Sequence, residues 1–193
     1  LKNVPGFAEQ FLVAGEPPAA GSLFRQTKLA DTLGRLTASG LDDFYRGQIG
    51  SAIGSELARI GSPVTAEDIR AYRAVETAPL RVASRCGTVY NLPPPTQGLA
   101  SLIILGVFNR LGCGEAENFP FFHGLVESTK QAFAVRDRVV TDPAYLREDP
   151  ASFLTDSALA SMAARVDPQK AAPWAAPAQG GDTVWMGTVD GEG

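Results

Sequence analysis

His123 is the only histidine of the chain, and Cys86 and Cys113 are its only cysteines. Zinc sites repeat Cys and His at short spacing, and disulfide frameworks need paired cysteines. Here the two cysteines lie in unlike contexts with no CxxC, so both read as structural thiols, and no metal or organic cofactor is expected. His123 opens an amphipathic stretch and reads as a hydrogen-bonded structural histidine rather than a catalyst. Glu127, Lys130 and Arg136 follow it at helical spacing and read as a solvated or ion-paired face. The run Pro93-Pro94-Pro95-Thr96-Gln97-Gly98 either borders a site or only terminates a strand. Thr183 heads an apolar stretch, where local sequence alone makes it a packing residue, because β-branched side chains suit a pleated surface.

The elements that hold these residues follow from periodicity and punctuation. Pro5, Gly6, Gly15, Pro17, Pro18 and Gly21 leave room only for short helices at the start. Leu29, Leu33 and Leu36 predict a helix from Gln26 to about Ser39, with Gly40 at its left-handed cap. Ile49, Ile53, Leu57 and Ile60 predict a second from about Phe44 to Ile60, the two forming a helical hairpin. Thr65, with Glu67 and Asp68 behind it, caps a short helix through Tyr72. The period then changes to that of two strands, Leu80–Ala83 and Thr88–Leu92, joined by a Cys86-Gly87 turn and closed by the prolines, which force an extended exit. A buried helix is expected from Gln97 to about Leu111. An amphipathic one is expected from Phe121 to about Val139, with Phe122, Leu125, Val126, Thr129 and Phe133 on its apolar face, and a last one from about Ala151 to Val166.

After Asp167-Pro168 the composition shifts. Gln169 to Gly181 is Ala, Pro, Gly and Gln apart from Lys170 and a lone Trp174, has no periodicity, and is expected to be a poorly packed tether. It delivers the chain into the β-rich stretch from Asp182 to Val189, which ends in the turn signal Asp190-Gly191. The chain opens mid-element at Leu1 and stops on a turn with no returning strand, as an excerpt of a longer protein would.

Bulk properties narrow the partners. Seventeen Lys and Arg stand against 21 Asp and Glu, a net charge of −4 with the signs interspersed, so nucleic acid is not expected. The longest apolar runs, such as Leu99 to Leu105, are far short of the roughly 20 residues that cross a bilayer.

Four stretches, in order, resemble the γ-glutamyltransferase family. The first is Leu29-Ala30-Asp31-Thr32-Leu33 with Gly40, Phe44-Tyr45-Arg46-Gly47 and Ile49. The second is Thr65-Ala66-Glu67-Asp68 with Tyr72, Pro79-Leu80 and the proline run to Gly98. The third is His123, Glu127, Lys130, Ala132-Phe133-Ala134 and Arg136 with Asp142-Pro143, and the fourth is Thr183-Val184-Trp185-Met186-Gly187-Thr188-Val189-Asp190.

The resemblance implies an N-terminal-nucleophile hydrolase: an α+β protein, here a mainly helical lobe with a few strands from a larger four-layer αββα sandwich. Residues 1–166 would be the helix-rich end of the large subunit, 167–182 the linker, and 183–193 the first strand of the small subunit. It places the nucleophile at Thr183 and the self-cleavage between Asp182 and Thr183, after which the two subunits stay paired. It also implies a small amide substrate, a γ-glutamyl compound such as glutathione. Val184 and Trp185 stand where Thr and His usually follow the nucleophile, and Thr-Gln-Gly-Leu continues the proline run where Ser-Ser-Gly-Gly is usual. A Trp at that place resembles the branch that includes oxamate amidohydrolase-like proteins, so an oxamate-type amidohydrolase or related acylase is the alternative. Beside these stands a non-catalytic relative whose helical lobe only binds a partner.

Overall fold

The computed structural model describes residues 3–174 and 189–191. It is an α+β chain that divides into two compact units, residues 1–75 and 76–193.

The first unit is helical: α1 (Phe7–Phe11), α2 (Thr27–Ser39), α3 (Asp43–Arg46), α4 (Gln48–Arg59) and α5 (Ala66–Ala71). The single helix expected from Phe44 to Ile60 is broken at Gly47, whose backbone is extended. Asp43 is the cause. Its Oδ1 accepts the Gln48 N–H at 2.9 Å, capping α4 with a side chain from the previous helix, and a Cβ at Gly47 would stand 1.7 Å from that oxygen. The expected hairpin of two long helices does not form either. Instead α4 packs on α3 and α5, with Gly50 against the Tyr45 carbonyl and Gly54 against Ala66. The leucine stripe of α2 is correspondingly open, Leu29 and Leu33 being about half exposed. The short helix α5 carries the reciprocal cap its sequence promises: Thr65 Oγ1 accepts from the Asp68 N–H at 3.2 Å, and Asp68 Oδ2 from the Thr65 N–H at 2.8 Å. Arg46 donates to the Tyr72 carbonyl at 2.9 Å, tying α3 to the end of α5.

The second unit holds the apolar core. Strands β1 (Leu80–Ser84) and β2 (Gly87–Asn91) pair antiparallel in the register Leu80 to Asn91 through Ser84 to Gly87, with Val82 opposite Val89 facing inward. They are followed by α6 (Gly98–Arg110), α7 (Phe119–Val139), two 3-10 turns (Pro143–Tyr145 and Pro150–Leu154) and α8 (Asp156–Ala163). Helix α6 is apolar nearly all round and central: Leu99, Leu102, Ile103 and Val107 are fully buried among β1, Ala132 and Val139 of α7, and Leu159 and Met162 of α8. The prolines do end the ladder, but the exit is a turn rather than extended chain. The Pro94-Pro95 bond is cis, Thr96 N–H reaches the Pro93 carbonyl at 3.3 Å, and Pro94 is buried. The helix expected from Ala151 to Val166 is interrupted at Thr155, which leaves helical geometry so that its hydroxyl can accept the Ala158 N–H at 3.3 Å and start α8. No helix among the described residues is long and apolar enough to cross a membrane.

The face of α7 that packs inward is not the one its large apolar residues mark. Phe122 and Val126 are about half exposed, whereas Gly124, Glu127, Ser128 and Ala132 are buried. The small residues at positions 124, 128 and 132 let α7 approach α6 closely, a Cβ at Gly124 standing 3.4 Å from the Phe108 ring.

Candidate functional site

Asp182 and Thr183 lie outside the described residues, as does the tether from residue 175 onward. What is described is the approach to them, residues 167–174, and the helix face on which it lies.

Helix α7 presents that face because Asn118 starts the helix, its side chain accepting the Phe121 N–H at 3.0 Å with Pro120 in the first turn. One turn on, His123 stacks on Phe119 with ring centroids 5.2 Å apart and planes 19° from parallel. Its Nε2 lies 2.7 Å from the main-chain oxygen of Asp167. A carbonyl oxygen can only accept, so Nε2 carries a proton. His123 thus ties the helix to the chain leaving α8, the structural role its sequence context suggests.

Next along the face are Glu127 and Lys130. The expected charged set divides here: Arg136 pairs with its neighbour Asp137 and lies 3.7 Å above the Phe133 ring, while Glu127 and Lys130 form a buried pair. Lys130 Nζ is 2.6 Å from Glu127 Oε1, with the side chains only 9% and 2% exposed. A solvated face is therefore the wrong description of these two. Removing either partner of such a pair would leave a buried charge uncompensated, costing about 3–5 kcal/mol.

The further hydrogen bonds of the pair go to one distant residue. Both oxygens of the Glu127 carboxylate lie 3.3 Å from the Ala172 N–H, and Lys130 Nζ donates to the Ala172 carbonyl at 2.5 Å. Trp174 closes the contact: its ring lies 5.5 Å from Lys130 Nζ and 6.1 Å from the Phe133 ring. Residues 169–174 are solvent-exposed, as their composition suggests, yet they are held. Composition reports side chains to bury, whereas the hold here is on main-chain atoms, so the segment is exposed, as a poorly packed tether would be, and also tied at one residue. The signal available in the sequence was the small-residue stripe Gly124, Ser128, Ala132, which marks a close-packed face with Glu127 beside it.

The other candidate groups stand apart. Cys86 is exposed in the β1–β2 turn, Cys113 lies with its Sγ 3.3 Å from the Pro120 carbonyl, and both are free. Among the described residues no three His, Cys, Asp or Glu side chains gather as a metal site would require. The Pro93–Gly98 turn packs as a helix entry, with Thr96 Oγ1 accepting the Gly98 N–H at 3.1 Å. An open cleft beyond the end of α7 is lined by Arg138, Thr141, Tyr145, Arg147 and Glu148, and Arg138 is committed to Glu148.

The family model described as Gamma-glutamyltranspeptidase matches residues 1–193. The oxamate amidohydrolase proenzyme of Klebsiella pneumoniae subsp. pneumoniae is 47% identical over 193 residues, all of this chain and 37% of that protein. The glutathione hydrolase-like YwrD proenzyme of Bacillus subtilis is 33% identical over 195 residues, again covering all of this chain and 37% of the relative. The chain therefore spans little more than a third of the length of these curated relatives. Among solved structures, gamma-glutamyltranspeptidase from Pseudomonas nitroreducens complexed with L-DON matches 86% of this chain and 50% of its own, with a TM-score of 0.67 at 28% identity. Cephalosporin acylase from Bacillus halodurans matches 83% of this chain and 30% of its own, with a TM-score of 0.68 at 25% identity.

Proposed function

We infer, for a chain that belongs to the gamma-glutamyltranspeptidase family, that the whole protein is a self-processing amidohydrolase or acyltransferase whose nucleophile is Thr183. The observation that carries this is the 47% match, over all of this chain and 37% of the relative, to a protein named as a proenzyme. In this reading residues 1–166 belong to the large subunit, 167–182 are the linker, and 183–193 open the small subunit. The two subunits stay paired after the cut.

The chemistry needs few side chains. In the precursor, Thr183 Oγ1 attacks the Asp182 carbonyl carbon, the C–N bond breaks, and the released amine takes the hydroxyl proton. Water then hydrolyses the resulting ester, leaving the Asp182 carboxylate and a free Thr183 α-amine. An α-amine titrates near 8, so at neutral pH a useful fraction is unprotonated and able to accept the Thr183 hydroxyl proton. The hydroxyl then attacks the substrate amide, the amine leaves with that proton, and water releases the acyl group. One histidine in the chain is no obstacle to such a mechanism.

For the acyl group, the 47% identity to an oxamate amidohydrolase proenzyme favours a small amide of the oxamate type, in line with Trp185 beside the nucleophile. A γ-glutamyl group is the second reading, supported by the glutathione hydrolase names of relatives at 32–33% identity. Intact mass of the full-length protein tests the processing, since two chains should divide between Asp182 and Thr183. Parallel assays with oxamate and glutathione decide the substrate. A single chain inert on every amide offered would favour the partner-binding alternative.

A further inference from the structure

Resting on the reading that the whole protein cuts itself before Thr183, we propose that the buried Glu127–Lys130 pair is a main-chain clamp that positions the chain entering that bond and sets the rate of the cut. Three observations converge. The pair is buried, on the inward face of α7, where two apolar side chains of similar volume would serve stability as well. Its hydrogen bonds beyond the pair go to both main-chain groups of one residue, the N–H of Ala172 to Glu127 and the C=O of Ala172 to Lys130. The gripped residue lies in the otherwise exposed chain that leads to the cut, and flanking contacts from His123 to Asp167 and from Phe133 to Trp174 lay that chain along α7.

Position in the chain gives the clamp its leverage. Thr183 is the eleventh residue after Ala172, so a fixed Ala172 keeps the bond within about 36–40 Å of the clamp. With the clamp lost, the nearest hold on the main chain is that of His123 at Asp167, sixteen residues before Thr183, and Trp174 keeps only its ring contact with Phe133. Thr183 Oγ1 and the Asp182 carbonyl belong to adjacent residues, so the clamp acts on the direction in which the chain presents that bond and not on how often the two groups meet. Glu127 and Lys130 are thus positioning residues that act through the main chain of Ala172 and touch no reacting atom.

The test follows processing of newly made full-length protein by intact mass. The double variant Glu127→Leu/Lys130→Met removes the clamp while keeping the volume, and Ala172→Pro removes the N–H donor at an exposed position and fixes φ there. Both should slow the first-order appearance of two chains by at least about twofold, whereas Ala172→Ser, which keeps the N–H, should process at the wild-type rate. Turnover per free N-terminal Thr183 should fall less than the processing rate, because the cut releases Thr183 from the clamped chain; a role in stability alone would not split the two. Wild-type processing half-times in both the double variant and Ala172→Pro would overturn the clamp, and should the double variant not fold, Ala172→Pro decides alone. A wild-type protein that stays one chain overturns the self-processing reading itself, a different result from cleavage that is indifferent to the clamp.

Discussion

His123 Nε2 stands 2.7 Å from the main-chain oxygen of Asp167, 44 residues away in sequence, and so fastens the chain leaving α8 onto the start of α7. The contact is a single hydrogen bond backed by the stack on Phe119. His123→Ala should therefore lower stability by about 1 kcal/mol, a few degrees in melting temperature, and reduce turnover far less. Thermal melts beside amide-cleavage rates on full-length protein check this. A turnover loss of a thousandfold with an unchanged melt would make His123 catalytic instead.

Thr183 should behave as both processing and turnover nucleophile. Thr183→Ala is expected to leave one uncut chain without amidase activity, since both steps use the same oxygen, with only a small remnant from binding. Thr183→Ser keeps the hydroxyl but loses the methyl that restricts χ1, so it should cut more slowly and retain some turnover. Gel mobility and intact mass read the first effect, and amide hydrolysis the second.

In the first unit, Asp43 gives a pH signature. The hydrogen bond from Arg35, 2.6 Å from Nε to Oδ2, holds its carboxyl below the ordinary carboxylate range, with the Gln48 N–H adding to the effect. A lowered folded-state value means that the contribution to stability is complete above the ordinary range and is lost as pH falls through the lowered value. Asp43→Asn should flatten the dependence of stability on pH in that acid window and leave the neutral side parallel to wild type. Circular-dichroism melts between about pH 2 and pH 6 would show it.

Ser128 offers a test with the opposite sign. Its hydroxyl is completely buried and has no hydrogen-bond partner among the described residues. A buried, unsatisfied hydroxyl costs about 1–3 kcal/mol, so Ser128→Ala should be neutral or stabilising by about 1 kcal/mol. Denaturant unfolding at constant slope would measure it. Clear destabilisation would show that the hydroxyl has a partner.

Much of the fold was legible because its signals are local. The Thr65 capping box, the period-2 pattern of Val82 and Val89, and the all-apolar α6 each announce themselves within a few residues. The misread places depend on contacts between elements. Gly47 looks like any helical glycine until Asp43 reaches over it to cap α4, and Thr155 looks like part of one long helix until its hydroxyl starts another. The face of α7 that packs on α6 carries small residues, Gly124, Ser128 and Ala132, and a count of large apolar side chains does not point to it. For the site, the motif that suggests Thr183 is contiguous and readable, while the grip of Glu127 and Lys130 on Ala172 spans more than 40 residues and leaves no mark in the sequence of the gripped segment.

That last property has an evolutionary consequence. Hydrogen bonds to a peptide N–H and C=O are indifferent to the side chain between them, so the residue at 172 is free to drift to almost anything except proline. Glu127 and Lys130 have no such latitude, since neither charge can change alone without stranding the other in the protein interior. A collection of orthologues should accordingly show a variable approach to the cut facing an acid–base couple that is either kept whole or replaced in one step.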